Sequence, residues 1–332
     1  MWNTIQCAVQ GRGHIKSDIP CQDKTYIKNE NDIQIIALAD GAGSAKLSHI
    51  GAEYVTRQIC ENLSCEFDMY FQEDDGAAIK RKIINDLTNG LKSIARENEC
   101  EVKDLASTLL VVAIKDGRYI IIHIGDGVIG YLKNDQLNIA SHPENGEFVN
   151  TTVFVTSKDV LATMKILKGT LGDIVGFALM SDGTENSFYN KRERTLAPAL
   201  KKLMQLTRIL NIQCLENEIY KSFEEVVKNN TTDDCSLVLI VKDDSCFQGY
   251  NQLTNKEKIN IMFDENEKSC KRVIRRYDTI LNFLQDPKTI DAISRKIHLK
   301  GKYVKRHLVC LQEKNLVVKD GVYYRTAIRL EK

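Results

Sequence analysis

Short apolar runs separated by polar turns open the chain and predict strands. Three of them occupy residues 4–11, 24–29 and 33–39. The next two segments, 47–64 and 77–99, instead repeat apolar residues every three or four positions, which is the period of a helix with one buried face. We expect both helices to pack on one side of a sheet.

Apolar strands return between residues 106 and 140, where Asp-Gly and Asn-Asp pairs mark turns, and we interpret this run as an antiparallel meander. Residues 141–170 are less regular and predict a loop or flap. A strand ending in Ser-Asp-Gly at 181–183, two helical patterns through about 228 and a final buried strand follow. Strand groups interrupted by helix pairs predict the α+β class, as a four-layer α-β-β-α sandwich of two antiparallel sheets flanked by helices.

The net charge of +1 conceals two oppositely charged parts. Residues 245–332 contain 19 Lys and Arg against 10 Asp and Glu, which leaves 27 against 35 for residues 1–244. A polar stretch without periodicity lies at the change of sign. We therefore predict a first domain at 1–244, a linker or bridging segment at 245–270 and a second domain at 271–332.

The composition argues against a membrane protein, a secreted protein and a zinc-thiolate protein. Of the 332 residues, 43% are hydrophobic and 27% charged, and no apolar run approaches the roughly 18 residues of a membrane span. The N-terminus lacks the basic start and hydrophobic core of a signal peptide. The ten cysteines contain no Cys-x-x-Cys pair, so a thiolate zinc site is disfavoured. These features predict a cytoplasmic protein with free thiols and no membrane partner.

The basic C-terminal part predicts three helices followed by a hairpin around Asp320-Gly321. This order resembles a small winged helix-turn-helix domain, in which Lys300, Lys302, Lys305 and Arg306 would lie on or beside the recognition helix. Basic charge there suits contact with a phosphate backbone. Winged helices also dock proteins, so nucleic acid and protein stay open as alternative ligands.

Carboxylates stand beside apolar strands at several points of the chain. They occur at Asp40-Gly41, Asp126-Gly127, Asp182-Gly183 and Asp233-Asp234, with Asp23 just ahead of an early strand. Acidic side chains brought together cannot all stay ionised without a compensating cation, and oxygen-only ligands suit Mg²⁺ or Mn²⁺. The alternative is that each Asp-Gly pair is an ordinary turn, which fits best at Asp116 and Asp320.

The order of these motifs resembles a known family. Asp23, LADGAGS, ASTLLVV, IHIGDGVIGYL, LMSDGTENSF and TTDDCSLVLIV are similar to the successive motifs of metal-dependent serine/threonine phosphatases of type 2C (PPM), over roughly residues 5–242. The resemblance is closest to bacterial type 2C-like phosphatases whose N-terminus reads G-x-x-H followed by P-C-Q-D.

The resemblance implies a role for each carboxylate. Asp40 and Asp23 would be the catalytic aspartates: Asp40 would bridge two metal ions, and Asp23 would contact the first of them through water. The Gly41 carbonyl would bind one ion, Asp182 and Asp233 would hold the other, and Asp126 matches the position of a third, weaker metal. Asp234 stands where the family has Asn and receives a supporting role; Ser107 and Thr108 match a structural motif.

Two residues depart from the family pattern. Ala42 occupies the position of a histidine that is thought to act as general acid, and Asp18 occupies that of the arginine that clamps the phosphate. Arg12 or His14 could supply the phosphate contact, or both could be merely exposed near a strand end. His49 and His123 are further candidates, although His123 lies inside an apolar strand and is better explained as a packed residue.

The function implied is hydrolysis of phosphoserine and phosphothreonine proteins by a water that bridges two Mg²⁺ or Mn²⁺ ions. The partners implied are a phosphoprotein substrate, a cognate serine/threonine kinase and, through the C-terminal domain, another protein or nucleic acid. The alternative is a weak or inactive pseudophosphatase that acts as a phosphoprotein-binding or DNA-binding regulator.

Overall fold

A computed structural model describes residues 2–30, 32–143, 152–209, 212–243, 253–255, 258–259, 271–313 and 316–328. The chain divides into two compact units. One comprises Trp2–Lys201 and Ile219–Val241, and the other comprises Lys202–Glu218 and Lys242–Lys332. Most of the predicted linker, 245–270, and part of the predicted flap, 144–151, lie outside the described residues.

The strands lie where the apolar runs predict them, with additions. In chain order they are β1 (Trp2–Val9), β2 (Lys24–Glu30), β3 (Ile33–Ala39), β4 (Leu109–Lys115), β5 (Arg118–Ile124), β6 (Val128–Lys133), β7 (Gln136–Ser141), β8 (Lys165–Thr170), β9 (Ile174–Met180), β10 (Tyr189–Asn190), β11 (Thr195–Leu196), β12 (Cys235–Lys242), β13 (Lys288–Thr289), β14 (Val317–Asp320) and β15 (Tyr323–Thr326).

Helices occupy the segments with helical periodicity. They are α1 (Arg12–Lys16), α2 (Ser48–Gln72), α3 (Gly76–Glu97), α4 (Val160–Thr163), α5 (Glu185–Phe188), α6 (Pro198–Ile209), α7 (Ile212–Glu225), α8 (Lys271–Phe283), α9 (Ile290–Ile297) and α10 (Gly301–Glu313). Short 3-10 helices cover Val102–Leu105, Asp182–Thr184 and Val227–Asn230. Among the described residues, no helix is long and apolar enough to cross a membrane.

Two five-stranded antiparallel sheets confirm the α+β class. The first has the order β1-β12-β9-β6-β7 and the second the order β2-β3-β4-β5-β8. Successive side chains of a strand point to opposite sides of its sheet, so each strand packs one set of residues against the other sheet and the alternate set against helices. Ile36 and Leu38 of β3 face the other sheet, whereas Ile35 and Ala37 face α2 and α3. Burying each large aliphatic side chain contributes about 1.5–3 kcal/mol.

The predicted meander at 106–140 is wrong as a single sheet. β4 and β5 belong to the second sheet, and β6 and β7 belong to the first. The chain crosses between the sheets at Gly125, whose φ of 107° is a conformation that side chains rarely adopt. Asp126 follows this crossing and lies at the end of the two sheets where strands β3 and β9 also end.

The predicted loop at 141–170 also contains a strand. β8 pairs antiparallel with β5 and forms the edge of the second sheet. Its residues are partly exposed and include two lysines, Lys165 and Lys168, so the sequence there lacks the apolar run of a central strand.

The C-terminal elements follow the predicted order of three helices and a hairpin. α8, α9 and α10 precede β14 and β15, which join at Asp320 and Tyr323, and β13 pairs with the other side of β15. Each of these helices buries apolar residues, among them Ile280, Ile293 and Leu308. The assignment of these elements to a winged-helix domain stays a prediction.

Candidate metal centre

Asp40 sits at the end of β3, where its backbone is fixed by the start of β4. The Asp40 N–H donates to Thr108 Oγ1 at 2.8 Å, and the Thr108 N–H donates to the Asp40 carbonyl at 2.8 Å. Gly41 forms a bridge with Ser107. A Cβ on Gly41 would lie 2.8 Å from the side chain of Ser48, so glycine is required there by crowding.

Asp182 follows β9 of the other sheet and faces Asp40. The two carboxyl groups lie close enough that each acts on the pKa of the other, Asp182 raising that of Asp40 and Asp40 lowering that of Asp182. Burial, with the charges of Asp23, Asp182 and Asp233 adding to it, raises the pKa of Asp40 well above its ordinary value. Burial and the charge of Asp126 raise the pKa of Asp182 to about 6. The strand ends of both sheets thus bring their carboxylates together.

Asp23 is a deeply buried acid, at 2% exposure. Neither of its carboxylate oxygens has a hydrogen-bond partner in the described part of the chain. Burial raises the pKa of Asp23 to about 7; Ser236 and Ser181 lie close enough to oppose the rise, and Asp234 and Asp182 add to it. Buried carboxylate oxygens without hydrogen-bond partners are suited to binding a cation.

The adjacent acids Asp233 and Asp234 have different surroundings. The side chain of Asp233 is 49% exposed, and its charge acts on both Asp40 and Asp182. The side chain of Asp234 is 1% exposed and accepts hydrogen bonds from the backbone N–H groups of Gly11 and Gln22, each at 2.6 Å. Asp234 therefore anchors the segment 11–22 to the start of β12.

Asp126 lies at the crossing between the sheets and accepts a hydrogen bond from Thr152. Its charge acts on Asp182, Glu185 and Lys191. The structure therefore brings Asp126 to the same acidic cluster as Asp182.

Glu185 and Lys191 lie near the acidic cluster and were not identified from the sequence. Glu185 begins α5, three residues after Asp182, and its side chain is only 13% exposed. It forms an ion pair with Lys191, and Glu185 Oε1 is buried without a hydrogen-bond partner among the described atoms. Burial raises the pKa of Glu185. The spacing of one helical turn from Asp182 is the signal that could have identified it.

The donor set fits a hard divalent cation. Asp23, Asp40, Asp126, Asp182 and Asp233 offer only oxygens, and unsatisfied buried oxygens remain on Asp23 and Asp182. In the described ranges, no three His, Cys, Asp or Glu side chains form a preassembled metal site. Mg²⁺ keeps several waters and takes only one or two carboxylates in such sites, so a closed protein cage is not required.

Arg12 and His14 lie on α1, beside the loop that carries Asp233. The Arg12 side chain is exposed, and its Nε and Nη2 donate to the Thr231 carbonyl at 3.1 and 2.9 Å. His14 Nδ1 lies 2.9 Å from Asp234 Oδ2, and His14 Nε2 lies 3.9 Å from Asp233 Oδ1. His14 therefore reaches the acidic cluster, while Arg12 stands at its exposed margin.

The other two candidate histidines are placed differently. His123 is fully buried between Ser141 Oγ at 2.6 Å and the Gly125 carbonyl at 2.9 Å, and burial lowers its pKa to about 3. It is a packed, neutral residue. Burial and the charge of Lys24 lower the pKa of His49, which begins α2.

Ala42 and Asp18, the two residues that depart from the family pattern, lie in different environments. Ala42 is buried and packs with Ala45, Ala106 and Phe154. These side chains line a cavity of about 390 Å³. Asp18 is exposed and has a φ of 54° in the turn after α1.

Cysteines near the cluster are poor nucleophiles. Burial and the charge of Asp234 raise the pKa of Cys21 to about 12, and burial and the charge of Asp23 raise that of Cys235 to about 12. A thiol with so high a pKa holds its proton at neutral pH, which disfavours a phosphocysteine mechanism.

The four basic residues predicted for partner binding are all exposed, with Lys300 just before α10 and Lys302, Lys305 and Arg306 on it. Lys302 Nζ lies 5.0 Å from the ring centre of Tyr303, and the Arg306 guanidinium lies 5.8 Å from it. Tyr303 is itself 41% exposed, so this helix presents an aromatic ring between cations.

The sequence and the fold are similar to those of known phosphatases. Serine/threonine-protein phosphatase 3 of Escherichia coli (strain K12) is 26% identical over 204 residues, which is 57% of this chain and 76% of that protein. A bacterial serine phosphatase structure matches with a TM-score of 0.53 at 18% identity, covering 74% of this chain and 99% of its own. Serine/threonine phosphatase Stp1 from Staphylococcus aureus also matches with a TM-score of 0.53 at 18% identity, covering 73% of this chain and 96% of its own.

The structural similarities show that the chain shares the fold of bacterial serine phosphatases, with its two-sheet α+β core. The protein phosphatase 2C family matches residues 10–219, more than half of the chain. The chain therefore belongs to the protein phosphatase 2C family, whose members are metal-dependent. The matched segment contains Asp23, Asp40, Asp126 and Asp182, and it ends before Asp233.

Proposed function

We propose that the protein hydrolyses phosphoserine and phosphothreonine monoesters of proteins with two bound Mg²⁺ or Mn²⁺ ions, and that Asp126 takes part in holding a third. The observation that carries the proposal is the convergence of Asp40, Asp182 and Asp23, all with raised pKa values. Acids in this state lower their energy by exchanging protons for a divalent cation.

Each residue has a specific task in this proposal. Asp40, fixed by Thr108, would be shared between the two ions, and Gly41 would present its carbonyl to one of them. Asp182 and Asp233 would hold the second ion, and Asp23 would act on the first through water. When bound, the two cations lower the pKa of water and stabilise charge on the phosphoryl oxygens.

Arg12 and His14 are the residues that we propose to meet the substrate phosphate. The Arg12 guanidinium has five N–H groups, and two of its nitrogens already bond Thr231, which fixes its plane. His14 stands next to Asp233, on the side of the cluster that is open to solvent.

Phosphate release tests the proposal. We expect Mn²⁺-dependent hydrolysis of p-nitrophenyl phosphate and of a phosphoserine peptide, with a loss of at least about 100-fold in Asp40→Asn, because even indirect supporters of a metal cost 10- to 100-fold. Asp116→Asn, in an exposed turn, is the matched control and should keep full activity. If the protein shows no metal-dependent hydrolysis and Asp40→Asn behaves identically, the proposal fails.

The pseudophosphatase alternative makes a different prediction for metal binding. It leaves the acidic cluster without a chemical purpose, whereas hydrolysis requires it to bind cations. Calorimetric titration with Mn²⁺ separates the two. A phosphatase should release heat of binding that Asp40→Asn abolishes, whereas a scaffold that binds no metal should release none.

For the C-terminal elements we propose docking to an anionic partner. Residues 271–328 in the described ranges include 13 Lys and Arg against five Asp and Glu. The exposed Tyr303 between Lys302 and Arg306 combines charge with an aromatic face, as nucleic-acid surfaces do. Acidic protein segments offer the same charge, so protein docking is the alternative.

Binding of the full chain to duplex DNA at increasing salt tests this proposal. Nucleic-acid binding should weaken steeply as salt rises and in Lys302→Glu, while Lys92→Glu on α3 should have no effect. If no duplex binds at low salt, docking to protein is favoured. A cognate kinase and a cytoplasmic location stay predictions of the sequence.

A further inference from the structure

We propose that a cavity beside the metal centre binds an acidic side chain of the substrate protein, close to the phosphorylated residue. This inference rests on the proposed phosphatase function and adds a preference among substrates to it. The cavity has a volume of about 390 Å³ and lies between the turn after β3, the short 3-10 helix Val102–Leu105 and the segment 154–158. Cavities of this size hold ligands as large as a long side chain.

The inner wall of the cavity is continuous with the backbone that holds the metal centre. Ala42 directly follows Gly41, and Ala106 directly precedes Ser107, which forms a bridge with Gly41. The Ala42 N–H donates to the Ala106 carbonyl at 2.9 Å. An extended peptide advances about 3.3 Å per residue, so a substrate with its phosphate at the acidic cluster brings its neighbouring residues to this cavity.

The floor of the cavity is apolar and is formed by small side chains. Ala42, Ala45 and Ala106 are each at most 7% exposed, and they pack with Phe154. Because these three side chains end at a methyl group, space remains above them that a larger side chain would fill. Phe154 is only partly buried, so it keeps apolar surface that the methylene groups of a ligand can cover.

The wall that carries Phe154 is held by hydrogen bonds. The Val155 N–H donates to the Ser107 carbonyl at 2.9 Å, and the Phe154 N–H donates to Ser157 Oγ at 2.9 Å. The Ser157 N–H also donates to the Phe154 carbonyl at 2.9 Å. The cavity is therefore formed before a ligand arrives, which lowers the entropic cost of binding.

The mouth of the cavity is basic. Lys103 and Lys158 both line it, and both are exposed. Lys103 forms an ion pair with Glu101 at 2.9 Å, but both side chains are 72% exposed, so water screens this pair and the ammonium can take a second acceptor. Asp104 also lines the cavity, and its Oδ2 accepts a hydrogen bond from the Glu101 N–H at 3.0 Å. Apolar walls below two cations fit a side chain that is aliphatic along its length and anionic at its end, such as glutamate.

Phosphoserine peptides that differ at one position test the proposal, with the full chain and saturating Mn²⁺. Each of the three positions on either side of phosphoserine carries Glu, Gln or Leu in turn. We expect Glu at one of these positions to raise kcat/KM over Gln by about three- to fivefold, mainly through KM, because the contact is made in the bound substrate as well as in the transition state. p-Nitrophenyl phosphate, which has no flanking residues, reports whether each variant keeps an active metal centre.

Reversal of charge at the mouth gives the sharper test. Lys158→Glu should abolish the preference for Glu over Gln and should favour a peptide with Lys at the same position. Lys92→Glu on α3 makes the same change of charge at an exposed lysine outside the cavity, and this control should keep the wild-type preference. Ala45→Leu should fill the cavity and reduce the advantage of Glu to less than about twofold.

Three results would overturn the proposal. They are equal kcat/KM for the Glu and Gln peptides at every position, a stronger preference for Leu than for Glu, and a preference for Glu that Lys158→Glu or a folded Ala45→Leu leaves intact. If thermal denaturation shows that Ala45→Leu does not fold, Lys158→Glu alone decides, because an exposed side chain can be changed without disturbing the core. Failure of the proposed function is distinct, because the wild type would then hydrolyse neither the peptides nor p-nitrophenyl phosphate.

Discussion

Replacing Asp23 with Asn should stabilise the metal-free protein, and more strongly as the pH rises. Burial, with Asp234 and Asp182 adding to it, raises the pKa of Asp23 from 3.8 to about 7. An acid whose pKa is higher in the folded state holds its proton more tightly there. Its favourable contribution is therefore complete below pH 4 and is lost as the pH rises through 7.

The magnitude follows from the two pKa values of Asp23. Each pKa unit corresponds to about 1.4 kcal/mol, so full ionisation costs up to about 4 kcal/mol. Roughly 2.5 kcal/mol of this falls between pH 5 and pH 8, and coupling to the neighbouring acids spreads part of it among them. Asn has nearly the shape of Asp without the charge, so the variant avoids this loss.

Urea unfolding in EDTA at pH 5 and pH 8 measures the effect. We expect the free energy of unfolding of the wild type to fall by about 1–2.5 kcal/mol more than that of Asp23→Asn between the two pH values. Asp116→Asn is the control and should follow the wild type, because Asp116 is 63% exposed. Saturating Mn²⁺ should reverse the advantage of the variant. Equal pH dependence in EDTA would refute the reasoning.

Three further variants probe the frame of the site. Gly41→Ala should destabilise the protein by about 1–3 kcal/mol in thermal or urea unfolding, because its Cβ would lie 2.8 Å from a serine side chain, whereas Gly43→Ala, with nothing within 4 Å, should be neutral. Thr108→Val should cost about 1–3 kcal/mol and lower phosphatase activity, because it leaves the Asp40 N–H without its acceptor. Lys191→Ala should tighten Mn²⁺ binding a few-fold in calorimetry, because it removes a cation that interacts with the acidic cluster. Unchanged values would contradict each argument.

The fold could be predicted where buried elements have a distinctive pattern of apolar residues in the local sequence. The central strands β3, β4 and β12 are buried on both faces and therefore stand out as unbroken apolar runs. The edge strand β8 was missed because an edge strand in partial contact with solvent needs no such run. The division of the meander between two sheets depends on the backbone of Gly125 and on packing that no local pattern contains.

The residues of the candidate site also fall into those that the sequence predicts and those that only the structure shows. Asp40 and Asp182 could be found because each ends a buried strand, and the structure brings them together. Lys191 could not, because a charged turn has the composition of any exposed loop, and its partner Glu185 is marked only by its spacing of one helical turn from Asp182. The anchoring role of Asp234 depends on Gly11, more than 200 residues away in the chain, so only the folded structure reveals it.

The carboxylate at 234, where the family has Asn, follows from these contacts. Asp234 accepts one backbone N–H on each oxygen, from Gly11 at Oδ1 and from Gln22 at Oδ2. An Asn has a single acceptor oxygen, so it would set its own NH₂ group against one of these N–H groups and leave a buried donor unpaired. The path of the chain from Gly11 to Gln22 therefore requires a carboxylate. The same carboxylate lies beside His14, with Asp234 Oδ2 2.9 Å from His14 Nδ1, so it joins the first helix to the start of β12.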